Sequence, residues 1–151
     1  MLVAVKNVIG DCAVGLLNEP VPKGYKVYPL LKPEPTLGEK LKGEFVLVTD
    51  QNKRVFVHEV GNVSKRANGY SNISLRYDAA KQIGYGKILV TGDSGNPSFV
   101  MVRGEPVLIE THHTGGAGAG PFYGDVDLQE KLKAAIQALG GSGSIRTVTW
   151  R

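Results

Sequence analysis

The chain has 151 residues, 42% of them hydrophobic, with 20 glycines, 8 prolines, one cysteine and a formal net charge of +4. That length suits one ordinary domain, and the apolar content excludes a chain disordered throughout. The lone Cys12 excludes an internal disulfide and a cysteine-based zinc site, so no metal is expected on that basis. The basic residues form no long run and read as a solvated surface, not a nucleic-acid groove. No apolar run has the length of a membrane span, and the N-terminus lacks the charged and apolar regions of a signal peptide. Neither a nucleic-acid nor a membrane partner is expected, and the compartment stays open.

In chain order, Leu2, Val3, Val5, Val8 and Ile9 form an apolar, β-branched stretch that reads as a strand. Ala13 to Leu17 reads as a second, closed by Asn18-Glu19-Pro20-Val21-Pro22. Tyr25 to Leu31 alternates as a third, ended by Pro29, Pro33 and Pro35, and the polar segment from Lys32 to Glu44 reads as a loop. Phe45 to Thr49 and Arg54 to Val60 flank Asp50-Gln51-Asn52-Lys53, a hairpin pattern. Asn68-Gly69 marks a turn, Ile73, Leu75 and Tyr77 alternate, and Lys87 to Val90 reads as a short strand. Phe99 to Val102 and Pro106 to Thr111 form a second hairpin around Arg103-Gly104-Glu105, followed by the glycine-rich stretch from Gly115 to Pro121.

Helical spacing is clean only from Leu128 to Leu139, where Leu128, Leu132, Ala135, Ile136 and Leu139 share a face. Asp127 with Glu130 suits a capping box, and Gly140 suits the C-terminal cap. Gly140-Gly141-Ser142-Gly143-Ser144 reads as a flexible linker, and Ile145 to Trp150 alternates like an edge strand or interaction tail. These elements predict a mostly β fold, a β-barrel or sandwich closed by a C-terminal α-helix over residues 1–139, followed by a linker and strand-like tail over 140–151.

One segment carries chemistry: Gly92-Asp93-Ser94-Gly95-Asn96-Pro97. A serine between glycines on a tight turn is exposed, and its neighbours bring no side chains to block a substrate. Backbone N–H groups on such a turn can converge on one point and stabilise the oxyanion of an acyl-transfer intermediate. The same residues also compose an ordinary turn between strands, as in an unrelated β-sandwich binding module.

With Ile88-Leu89-Val90 before it, the segment resembles the nucleophile region of the chymotrypsin/trypsin-like serine peptidases. Phe99 to Val102 and Pro106 to Thr111 resemble the two strands that follow the nucleophile there. Asp11-Cys12-Ala13-Val14-Gly15-Leu16-Leu17 with Pro20-Val21 resembles the family's aspartate segment, at the connection into its second barrel. The resemblance spans roughly Val8 to Leu139. It implies Ser94 as nucleophile, the N–H groups of Gly92 and Ser94 as oxyanion hole, and Asp11 as the carboxylate that orients the base. It places Thr111, His112, His113 and Gly115 along the substrate-pairing strand and Ile88 at the base of an uncharged specificity pocket. It implies no cofactor and a polypeptide as substrate or partner. The family's cut N-terminal amine, which pairs with the residue equivalent to Asp93, has no counterpart evident at Met1.

The histidine that the family places before its aspartate is absent, since only ten residues precede Asp11 and none is histidine. The chain resembles a second barrel without the first, and serine is a poor nucleophile without a base. His58, between Asp11 and Ser94, could supply one or could be a core residue. The order His58, Asp78, Ser94 matches the family, but the stretch from Asp78 to Ser94 is too short for the strands between them. His112 and His113 point to opposite faces if their strand is regular, so at most one can approach Ser94. Two functions follow: a serine endopeptidase-like domain completed by another segment or chain, or an inactive peptidase-fold structural or interaction domain. The single cysteine tilts the source toward bacterial, viral or phage proteins, and an exposed partner face would favour a first-barrel partner or a homo-oligomer.

Overall fold

The computed structural model describes residues 1–67, 69–78 and 85–151. β1 (Leu2–Ile9) and β2 (Cys12–Leu17) form a two-stranded antiparallel hairpin. Ile9 pairs with Cys12, leaving Gly10 and Asp11 as a two-residue turn. Gly10 has φ +49° and Asp11 keeps a negative φ, the pattern of a type II′ hairpin turn, for which glycine is preferred at the first position. The closed end of this hairpin packs Val8, Ile9 and Cys12 against Leu128 and Leu132. The open end projects, with Leu2, Val3, Val5, Leu16 and Leu17 all exposed.

The remaining strands are β3 (Leu30–Leu31), β4 (Phe45–Thr49), β5 (Val55–Lys65), β6 (Ser71–Arg76), β7 (Pro97–Val102), β8 (Glu105–Thr111), β9 (Ala119–Pro121) and β10 (Thr147–Val148). They form one curled eight-stranded half-barrel sheet in the order β10-β3-β8-β7-β4-β5-β6-β9. Period-two alternation sets its faces: Val46 and Val48 of β4 are fully buried while Phe45 is exposed. Val60, Ile73, Val100, Val107 and Ile109 complete the inner layer with Leu31, Leu89 and Phe122. Each such side chain contributes about 1.5–3 kcal/mol through burial.

Three sequence expectations change here. Tyr25 to Leu31 is a strand only at Leu30–Leu31; Tyr25 and Val27 are exposed, and Pro29 stops the ladder before them. The expected loop from Lys32 to Glu44 contains α1 (Leu37–Leu41), whose two leucines, one turn apart, both enter the core. Lys87 to Val90 makes a single bridge, Leu89 to Gly116, and no strand. The turn expected at Asn68-Gly69 lies partly outside the described residues.

Helix α2 (Val126–Ala138) begins two residues before its expected start at Leu128. Asp125 is the N-cap: its side chain accepts from the Leu128 N–H at 2.9 Å and from the Ser71 N–H at 3.1 Å. Asp127 instead pairs with Lys65. The helix ends at Gly140, φ +94°, whose N–H donates to the Gln137 carbonyl. After the glycine-rich turn the chain returns to the sheet: Thr147 and Val148 pair in parallel with Leu30 and Leu31, and Trp150 joins the main core.

Candidate functional site around Ser94

Ser94 is exposed on the turn that leads into β7. Gly92 has φ +99° and Gly95 φ +85°, so both flanking positions use the left-handed region that glycine reaches without strain. A Cβ at Gly92 would also meet the end of the Gln51 side chain, which would have to give way and loosen its bonds to Thr91 and Asp93. The Asp93 N–H donates to the Val90 carbonyl, and the Gly95 N–H to the His112 carbonyl at 2.8 Å. The N–H groups of Gly92 and Ser94 find no acceptor among the described residues. They are available donors on a turn that is otherwise tied down.

What ties it down is a buried charge cluster beneath it. The Asp93 carboxylate accepts from the Val90 N–H at 2.8 Å and from the Gln51 N–H and side chain, each at 3.2 Å. Lys87 Nζ lies 3.1 Å from Asp93 and 2.8 Å from Asp50, and both aspartates are shielded from solvent. Asp50 in turn accepts a two-pronged contact from Arg54 and the N–H groups of Asn52 and Arg54. The Val90 N–H, helped by Gln51 and Lys87, holds the Asp93 carboxyl at a pKa of about 2 despite its burial. Burial works against the Asp50 carboxylate, but Lys87 and Arg54 outweigh it and keep Asp50 below the usual carboxylate range. Lys87 is thus the cation that satisfies Asp93, whereas the Met1 amine bonds Asn18 far from it. Sequence reasoning missed Lys87 because nothing local announces a contact across the fold.

A cleft of about 250 Å³ opens beside the turn, lined by Asp11, Ser94, Gly95, Thr111, His112, His113 and Pro121. The β1–β2 turn delivers Asp11, and the continuation of β8 delivers the two histidines. Asp11 is exposed and makes no hydrogen bond or ion pair among the described residues. Thr111 Oγ1 bonds the Tyr123 hydroxyl at 2.8 Å, and that hydroxyl lies 3.8 Å from the buried Cys12 thiol. Burial pushes both Cys12 and Tyr123 up from their ordinary pKa values. Cys12 is therefore a protonated core residue, not an activated thiol.

His112 forms part of the cleft floor. Its Nε2 is 3.0 Å from the Thr49 carbonyl, which can only accept, so Nε2 carries a hydrogen. Its Nδ1 stands 2.5 Å from Glu110 Oε1, off the line of a good hydrogen bond, and Glu110 is fully buried. A proton must be shared between those two atoms, since two lone pairs cannot face each other at that distance. Burial opposes the imidazolium, but Glu110 and Thr49 outweigh it, and the His112 pKa is raised. Ser98, cross-strand partner of Glu110, is also fully buried, and its hydroxyl is unpaired among the described residues.

His58 lies in the core, not in the cleft. Its Nδ1 contacts the Ala117 carbonyl at 2.7 Å and its Nε2 accepts from the Lys87 N–H at 3.0 Å, with the ring stacked on Tyr77. Burial depresses its pKa. With both nitrogens committed to backbone, His58 has no lone pair to offer Ser94 and cross-links the sheet to the segment before Ser94. Ile88 is 62% exposed and does not line the cleft, so it forms no pocket base here. Gly115 is exposed and also lies outside the cleft lining.

Among the described residues no cluster of His, Cys, Asp or Glu has the arrangement of a metal site, and no helix is long and apolar enough to cross a membrane. The chain matches no family model and no curated protein.

Proposed function

We propose that the chain is a serine endopeptidase-like acyl-transfer domain with Ser94 as nucleophile and a polypeptide as substrate class, built as the second barrel of a chymotrypsin-like fold. One observation carries this reading: Ser94 and Asp11, from distant parts of the chain, line one cleft beside a turn whose Gly92 and Ser94 N–H groups are free. Such donors, held in place by the charges beneath Asp93, are preorganised for an oxyanion. A fluorophosphonate probe tests it by mass spectrometry on the folded chain and on Ser94→Ala. A stoichiometric adduct on Ser94, lost in the variant, is expected; a folded chain that takes up no probe refutes the reading.

A second reading, an inactive peptidase-fold interaction domain, draws support from two observations. No histidine nitrogen is hydrogen-bonded to Ser94 among the described residues. The open end of the β1–β2 hairpin also exposes Leu2, Val3, Val5, Leu16 and Leu17 on its two faces, apolar side chains suited to a partner protein, a first barrel or a second copy. Light scattering across a concentration series checks the last of these, and a monomer at every concentration rejects it.

A further inference from the structure

Of the three histidines, His58 and His112 have their ring nitrogens occupied by backbone groups or a buried carboxylate. His113 differs: it is exposed, it lines the cleft, and among the described residues its ring nitrogens bond side chains alone, those of Thr114 and Asn72. The neighbours of the Asn72 amide orient it with its nitrogen toward the Gly120 carbonyl (3.1 Å) and its oxygen toward Arg66 (3.2 Å). That nitrogen then faces His113 Nε2 at 3.4 Å, so Nε2 holds a lone pair while Nδ1–H donates to Thr114 Oγ1 at 2.7 Å.

The backbone brings His113 beside Ser94. The Gly95 N–H donates to the His112 carbonyl, and the His112 N–H donates to the Asn96 carbonyl. Gly95 and Asn96 therefore oppose one residue, a bulge, and just beyond it Ser94, at the corner of the Asp93–Asn96 turn, and His113 line the same cleft. Gly95 offers no side chain to separate them. Asp11, unpaired on its hairpin turn, shares the same cleft.

We propose that His113 is the general base for Ser94, with Asp11 as the carboxylate that favours its protonated form; this rests on the reading of Ser94 as an acyl-transfer nucleophile. The chain order is then Asp, Ser, His, and triads are defined by geometry and role rather than by order. The His113 ring must turn from Asn72 toward Ser94, which gives up the long 3.4 Å contact and requires the exposed Thr114 hydroxyl to follow Nδ1 or yield it to water. In the step itself His113 Nε2 takes the Ser94 hydroxyl proton as Oγ bonds the scissile carbonyl carbon. The carbonyl π pair moves to oxygen and is held by the Gly92 and Ser94 N–H groups. Collapse breaks the C–N bond, and the leaving amine takes the proton from His113. Water repeats the sequence on the acyl-enzyme, releasing the acid and restoring Ser94.

The charged and titratable groups around the ring are Asp11, His112 and, through Asn72, Arg66. The test is the rate of Ser94 modification by diisopropyl fluorophosphate as a function of pH. The wild-type rate should rise through an imidazole titration. His113→Gln should slow it by about 100-fold or more with an unchanged melting curve, and added imidazole should rescue His113→Ala. Equal rates in wild type and His113→Gln overturn the assignment of His113 while leaving Ser94 as nucleophile. No modification of the folded wild type overturns both. If His113→Gln fails to fold, Asp11→Asn decides: a lower titration midpoint supports the proposal, and an unmoved midpoint overturns it.

Discussion

Replacing Lys87 with methionine removes the ammonium that lies 2.8 Å from Asp50 and 3.1 Å from Asp93 while keeping most of the side-chain volume. The loss falls unevenly. Asp50 retains the Arg54 guanidinium, whereas Asp93 keeps its hydrogen bonds from Val90 and Gln51 and loses the ammonium it pairs with among the described residues. Breaking a buried ion pair by deleting one partner costs about 3–5 kcal/mol. The Lys87 side chain is 15% exposed and Asp93 keeps its N–H donors, so the low end, about 3 kcal/mol, is expected. For a domain of this size that corresponds to a fall of about 6–12 °C in melting temperature. Urea denaturation at pH 7, followed by the fluorescence of the single, buried Trp150, reads it directly. The sign with pH is specific. In the wild type the Asp93 contribution is complete above about pH 4, the unfolded value, and is lost as pH falls through about 2. In Lys87→Met, protonating Asp93 relieves the defect, so the gap to wild type should narrow in acid. Lys87→Met combined with Asp93→Asn should recover much of the loss. A single-variant effect below about 1 kcal/mol, or a gap that widens in acid, refutes the cluster as the anchor of the Ser94 turn.

Three further outcomes follow from the same geometry. Gly92→Ala forces a side chain into φ +99° and against Gln51, so it should destabilise the chain by about 1–3 kcal/mol and abolish probe uptake at Ser94; full uptake counts against the oxyanion role. His112, with its raised pKa, adds stability that is complete below about pH 6.5 and is lost as pH rises through the folded value. The depressed His58 has the opposite sign, so the readout is the difference in unfolding free energy between wild type and His112→Asn, which should shrink from pH 6 to pH 9. Trp150→Ala should cost about 3–5 kcal/mol by chemical denaturation followed by circular dichroism, whereas a free tail would make it silent.

The hairpins and α2 are legible in the sequence because each is local: period two, helical spacing and turn chemistry lie within a few residues of one another. α1 escapes because five residues in a polar, proline-rich segment carry one signal only, the spacing of Leu37 and Leu41. β9 escapes because Ala119-Gly120-Pro121 has no strand propensity of its own and pairs with β6 through backbone alone. Asp127 has the capping-box partner on paper, but the Ser71 N–H, far away in sequence, favours Asp125. At the site, the glycine-flanked Ser94 turn is legible as a local motif. The Lys87 cluster is not, because it joins the stretch 50–54 to the stretch 87–93 across the fold. The Glu110–His112 contact could have been found, since residues two apart on a strand share a face.

β3 pairs in parallel with both β8 and β10, and Trp150 seals the same core as Leu31. During synthesis, Leu30 and Leu31 therefore wait first for Leu108 and then, later still, for Thr147 and Val148. Hairpins can close as they emerge from the ribosome, but the half-barrel cannot finish until Trp150 has left the exit tunnel. Until then the edge of β8 and an apolar interior face water together, an arrangement that favours wrong pairing between chains over completion of the fold.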